Sequence, residues 1–224
     1  MSGLRTALAI AGHDIAREFR RPVAISSVLL FGVASLVVLR LALGGGAKPD
    51  DGVLAGALWI VLVFAALLGT ARAWASERED GVLDALLMSP AGRSTVHLGK
   101  VIAATTTTIT LHAVLLVLYL GLFGAPPGRG VVLLVATVLL ADIGFAVVGV
   151  LVAGLGMRAR SRDLLGPTMF LPLVIPLVIA AVTASLSAWN LSGDSVTQLL
   201  VFLVAYDATF LVAGLAAFPE LAVE

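Results

Sequence analysis

Long apolar runs alternate with short polar breaks from one end of the chain to the other. The runs cover residues 23–43, 53–71, 101–123, 131–155, 164–186 and 199–218, each close to the ~20 residues that a helix needs to cross a bilayer. They predict six transmembrane helices in a single all-α integral membrane domain over residues 1–224. Residues 1–21 have a different pattern. Leu4, Leu8, Ala11, Ile15 and Phe19 form one helical stripe, and Asp14, Arg17, Glu18 and Arg21 lie off it; this predicts a helix lying in the membrane interface. Arg20-Arg21-Pro22 then makes a corner, because cations favour the headgroups and proline suits the first turn of a new helix. The longest polar break is residues 76–100. Within it the acidic Glu77, Glu79 and Asp80 precede Val82, Leu83, Leu86 and Leu87 at helical spacing, and Ser89-Pro90 supplies a stop. That grammar predicts a short amphipathic helix over 77–90 at the membrane surface, between spans two and three.

Composition agrees: 60% of the chain is hydrophobic and 12% charged, against about 25% charged in a soluble domain, and the mean hydropathy is +1.09. The absence of cysteine excludes disulfides and thiolate ligation of a metal or haem. Arg17, Arg20 and Arg21 precede the first apolar run with no small-residue cleavage site after it, so no cleavable signal peptide is expected. The formal net charge of +0 hides an asymmetry. With the N-terminus inside, that side holds Arg5, Arg17, Arg20, Arg21, Arg72, Arg78, Arg93, Lys100, Arg158, Arg160 and Arg162; the other side holds only Arg40, Lys48 and Arg129. The bias predicts cytoplasmic termini in a multi-pass protein, with the 77–90 helix cytoplasmic as well. Trp59 and Trp189 then fall near the outer face and Trp74 near the inner one, as in an aromatic belt.

Ionisable groups at bilayer depth are costly and need a reason. Asp142 in span four and Asp207, beside Tyr206, in span six lie eleven and eight residues below their outer ends; at 1.5 Å per residue they share a level to within about 5 Å. Two readings stand for them: a polar spot that contacts substrate or a partner, with Arg40 reaching down to it, or packing glue bonded to neighbouring backbone and hydroxyls. His112, His97 and His13 are the histidines; no second ligand sits three or four residues from His112, so no metal site is expected. Pro167, Pro172 and Pro176 predict a bent fifth span. The stretch GRSTVHLGK at 92–100 fails as a phosphate-binding loop, because six residues separate Gly92 from Gly99 and Val101 follows the lysine. With no hydrolase or zinc motif either, the chain is expected to be no enzyme and to have no catalytic residues or nucleotide site of its own. A membrane-embedded acid pair of Asp142 and Asp207 is the enzymatic rival.

Arg78-Glu79-Asp80-Gly81, Leu83, Leu86-Leu87, Ser89-Pro90 and Gly99-Lys100 form one distinctive patch; the proline-rich 161–176 is a second, and Ala205-Tyr206-Asp207 with Phe210 is a third. On these patches, and on its length and span count, the chain resembles the permeases of ABC-2-type exporters. Among them it resembles the haem exporter protein B (CcmB) family of cytochrome c maturation. The resemblance implies that residues 77–90 are a coupling helix, with Glu77, Arg78, Glu79, Asp80, Leu83, Leu86 and Leu87 contacting an ATPase subunit. It further implies ATP bound by that partner (CcmA-like), other haem-handling subunits (CcmC-like), a haem chaperone (CcmE-like), a second copy of the chain and membrane lipid as partners, and no nucleic acid. Haem would be cargo of the complex, with no cofactor bound by this chain. An ABC-2-type exporter of another amphipathic substrate, a lipid or a drug, has the same outline.

Overall fold

A backbone in hydrocarbon must pair its donors and acceptors within the segment, and a helix does so. In the computed structural model the apolar runs are accordingly helical: α1 (Gly3–Arg20), α2 (Pro22–Ala42), α3 (Asp51–Thr70), α4 (Arg93–Phe123), α5 (Gly130–Leu155), α6 (Arg162–Asn190) and α7 (Val196–Leu221). The structure describes residues 3–20, 22–44, 49–74, 81, 88, 92–156, 162–190 and 196–221, and among these there is no strand. Six helices, α2 to α7, are long and apolar enough to cross a membrane, which is the expected all-α, six-span architecture.

Each of the six spanning helices begins before its apolar run. α4 begins at Arg93, eight residues before the expected 101, and α6 and α7 overrun their expected ends. Apolar runs mark where hydrocarbon begins, whereas helices continue until a cap or turn stops them. At α4 the stop is Gly92, whose φ of 76° turns the chain into the helix.

α5 is the centre. It packs against α3, α4, α6 and α7, and its buried residues, among them the consecutive Phe145, Ala146, Val147 and Val148, encircle the helix, as expected of one apolar all round. Small residues let its neighbours approach closely. Thr70 of α3 fills the space beside Gly149, and Phe218 of α7 lies over Gly154. A Gly149→Leu side chain would overlap Thr70, so this substitution should destabilise the bundle by about 2 kcal/mol. A melting temperature in detergent equal to that of the parent would rule out this close packing. α2 and α7 lie at the rim and expose Leu30, Leu41, Val201 and Val212.

α1 lies along the first half of α4. Its expected apolar stripe is divided between two surfaces. Ala7 and Ala11 are buried, and a Cβ on Gly99 would come within 2.9 Å of the Ala7 carbonyl oxygen; Leu4, Leu8 and Phe19 point outward. The aromatic belt does not form, because all three tryptophans are buried. The indole N–H groups of Trp59 and Trp74 reach interior acceptors, the Ser185 hydroxyl at 2.9 Å and the Val150 carbonyl at 3.2 Å. Trp189 packs edge-on to Tyr119.

Candidate functional site

The residues expected to contact a partner, Glu77, Arg78, Glu79, Asp80, Leu83, Leu86 and Leu87, lie outside the described residues. Within the 77–90 stretch Gly81 has a φ of 69°. A right-handed α-helix does not include that conformation, so Gly81 itself is not an α-helical residue. Met88 is 78% exposed, as a surface segment requires.

The two flanks of this segment are both fastened to the last turns of α7. On the upstream side Trp74 stacks on Phe218, with ring centroids 5.0 Å apart and planes 13° from parallel. On the downstream side Arg93 donates to the Pro219 carbonyl at 2.9 Å, and the Ser94 hydroxyl donates to the Leu215 carbonyl at 3.1 Å. The second bond follows from the sequence. Pro219 lies inside α7 and has no N–H, so the Leu215 carbonyl, one turn back, has lost its helical donor. Ser94 supplies the replacement.

Further contacts spread from this base. The fully buried His97 ring also stacks on Phe218, at 4.8 Å, and neither of its nitrogens has a hydrogen-bond partner among the described residues. Lys100 is buried; its ammonium lies 5.2 Å from the Trp74 ring centroid and 2.9 Å from a carboxylate oxygen of Asp14 on α1. A single cluster therefore joins α1, the chain after α3, α4, α5 and α7. Asp14, His97 and Lys100 were not singled out for this role from the sequence. Their partners are distant along the chain, and the available signal was Lys100 itself, a charge at the very start of an apolar run.

A second polar centre lies in the middle of the bundle. His112 Nδ1 and Asp142 Oδ1 are 2.5 Å apart, and each side chain is 1% exposed. Asp207, also buried, does not join them. Its Oδ1 lies 2.6 Å from where a Cβ of Gly144 would be. Residues 142 and 144 point about 200° apart around α5, so α5 stands between the two carboxylates, and they form no acid pair. The two carboxylates do share a level, because positions 142 and 144 differ by only about 3 Å along the helix. Tyr206 donates its hydroxyl to the Leu173 carbonyl at 2.5 Å, next to the backbone that Pro172 and Pro176 deprive of donors. Arg40 is absent from this centre. Its guanidinium donates to the Gly44 carbonyl at 2.8 Å, just past the C-terminal end of α2 at Ala42, where a basic side chain can bond carbonyls that have no helical donor.

Among known proteins, the family described as CcmB protein matches residues 5–223. Heme exporter protein B of Pseudomonas aeruginosa is 29% identical over 189 residues, which is 80% of this chain and 83% of that protein. Heme exporter protein B of Rhodobacter capsulatus is 28% identical over 172 residues, 74% of this chain and 77% of that one.

Proposed function

The chain belongs to the CcmB protein family, and on that footing we propose that it is the membrane permease subunit of an ATP-binding-cassette complex that handles haem for cytochrome c maturation. Haem is the substrate of the complex; two relatives bear the name heme exporter protein B. ATP is bound and hydrolysed by a separate CcmA-like subunit, since this chain has no phosphate-binding loop. The complex lies in the inner membrane with both termini of this chain cytoplasmic, in line with the cation bias. The 77–90 segment docks on the ATPase. Closure of the ATPase subunits moves that segment, and the bundle rearranges to drive transfer of haem, or release of a haem-loaded CcmE-like chaperone, with CcmC-like subunits alongside.

The observation that supports this reading best is the fastening of both flanks of the 77–90 segment to residues 215–219 of α7 through Trp74, Arg93 and Ser94. A loop pinned at its base transmits a push to the helix that pins it, whereas a loosely tethered loop absorbs it. The acidic start of the segment supplies charge for recognition of the partner. Exposed ion pairs contribute about 0.2–1 kcal/mol each, so Glu79→Lys together with Asp80→Lys should reduce ATP-dependent assembly of c-type cytochromes about tenfold, with repulsion added to lost attraction. The variant should still accumulate in the membrane. Parental levels of assembly in that variant would sink the docking assignment.

A further inference from the structure

We propose that Asp207 is a proton-binding site, occupied when α7 is packed against α5 and emptied when the two helices part. The carboxyl group sits eleven residues into the 26-residue α7 and is 7% exposed. Its Oδ1 is enclosed and has no hydrogen-bond partner among the described residues. The surroundings are shaped to receive that oxygen: a Cβ on Gly144 would stand 2.6 Å from Oδ1 and 2.9 Å from Leu177 of α6, so only glycine leaves the room. Among the described residues the site therefore provides space for a carboxyl group and no counter-charge.

Every helix packed against α7 gives the same result. α6 has no titratable residue between 166 and 189. Asp142 of α5 is directed to His112 on the far side of that helix. α4 presents His97 to α7 at Gly214, two turns or about 10 Å along from Asp207, and Arg93 at Pro219, farther still. Lys100 is at Asp14 and the Trp74 ring. On α7 itself, the hydroxyl of the adjacent Tyr206 is given to Leu173. A carboxylate buried without a cation or donor carries a free-energy cost that a proton removes, and a proton needs no cavity. Once neutral, the group fits an apolar contact. When α7 moves off α5 and water enters, the charged form is solvated and the proton leaves. Closing the α5–α7 contact thus takes up one proton and opening it releases one, whatever the permease transports.

Dicyclohexylcarbodiimide tests this directly, because it adds to carboxyl groups that are protonated in apolar surroundings and leaves a stable N-acylurea. In native membranes at about pH 7, peptide mass spectrometry should find Asp207 modified about tenfold more than Asp50, which is exposed at the start of α3. As a second measurement, the parent protein in detergent should lose thermal stability relative to Asp207→Asn as the pH rises, because the packed state holds a proton that the unfolded chain gives up. An unmodified Asp207, or identical pH dependence in parent and variant, would overturn the proposal. If the variant fails to accumulate, labelling of the parent decides alone.

Discussion

Asp142→Ala is expected to lower the stability of the bundle by about 3 kcal/mol. Two magnitudes compete here. An interhelical hydrogen bond between neutral groups in a membrane contributes only about 0.6 kcal/mol, because the separated helices find other partners. Removal of one member of a buried ionisable pair costs more, about 3–5 kcal/mol in soluble proteins, because the remaining group is left without compensation. His112 and Asp142 are each 1% exposed with 2.5 Å between Nδ1 and Oδ1, and nothing on α5 replaces the carboxylate, so the second effect dominates. His112→Leu with Asp142→Leu removes both polar groups and should recover most of the loss, since apolar substitutes for a whole buried pair are often neutral. Unfolding of the parent, His112→Leu, Asp142→Leu and the double variant in detergent gives the coupling energy. Additive effects, with the double variant as damaged as the sum of the singles, would mean that the two residues do not act as a pair.

The physics that determines each feature also decides whether local sequence could reveal it. Span number depends on the length of apolar runs, and the six runs became six helices. Helix ends depend on caps and tertiary bonds, so α4 begins at Arg93 instead of in the apolar run. His112 and Asp142 were both visible as ionisable groups in adjacent spans. Their pairing was within reach too: they stand twelve residues on either side of the connector that ends α4 at Gly124 and starts α5 at Gly130, and a tight antiparallel pair brings such positions level. Register alone does not say which way a side chain faces, and that is what joined Asp142 to His112 and separated it from Asp207. One of the two readings of the intramembrane carboxylates had Arg40 reaching down to them, because unlike charges attract. Its guanidinium instead bonds the Gly44 carbonyl, just beyond the end of its own helix. Trp74 with Phe218 and Arg93 with Pro219 are contacts across most of the chain, and no pattern confined to one helix announces them.

Those distant contacts set the other large expected effect. In the proposed complex, Arg93→Ala with Ser94→Ala should leave ATP hydrolysis close to the parental rate and reduce haem delivery per ATP about a hundredfold. The Arg93 bond to the Pro219 carbonyl has a charged donor and contributes about 1.5–3 kcal/mol; the Ser94 bond to the Leu215 carbonyl contributes about 1 kcal/mol. Their sum, about 2.5–4 kcal/mol, lies at or above the upper end of the roughly 1–3 kcal/mol range that typically couples two sites in one protein, so their loss removes most of the link between the 77–90 segment and α7. Folding should survive, since both bonds lie at the start of α4, away from the α5 core. The Trp74–Phe218 stack still holds the upstream flank, which is why delivery falls without vanishing, and adding Trp74→Ala should abolish it. Pro219→Ala provides a check on the cause: it returns an N–H to the Leu215 carbonyl, so the Ser94 bond becomes redundant while the Arg93 bond remains, and delivery should fall far less than in the double variant. If hydrolysis and delivery fall together in Arg93→Ala with Ser94→Ala, these residues serve ATPase docking, and transmission must run through α1 and the Asp14–Lys100 pair instead.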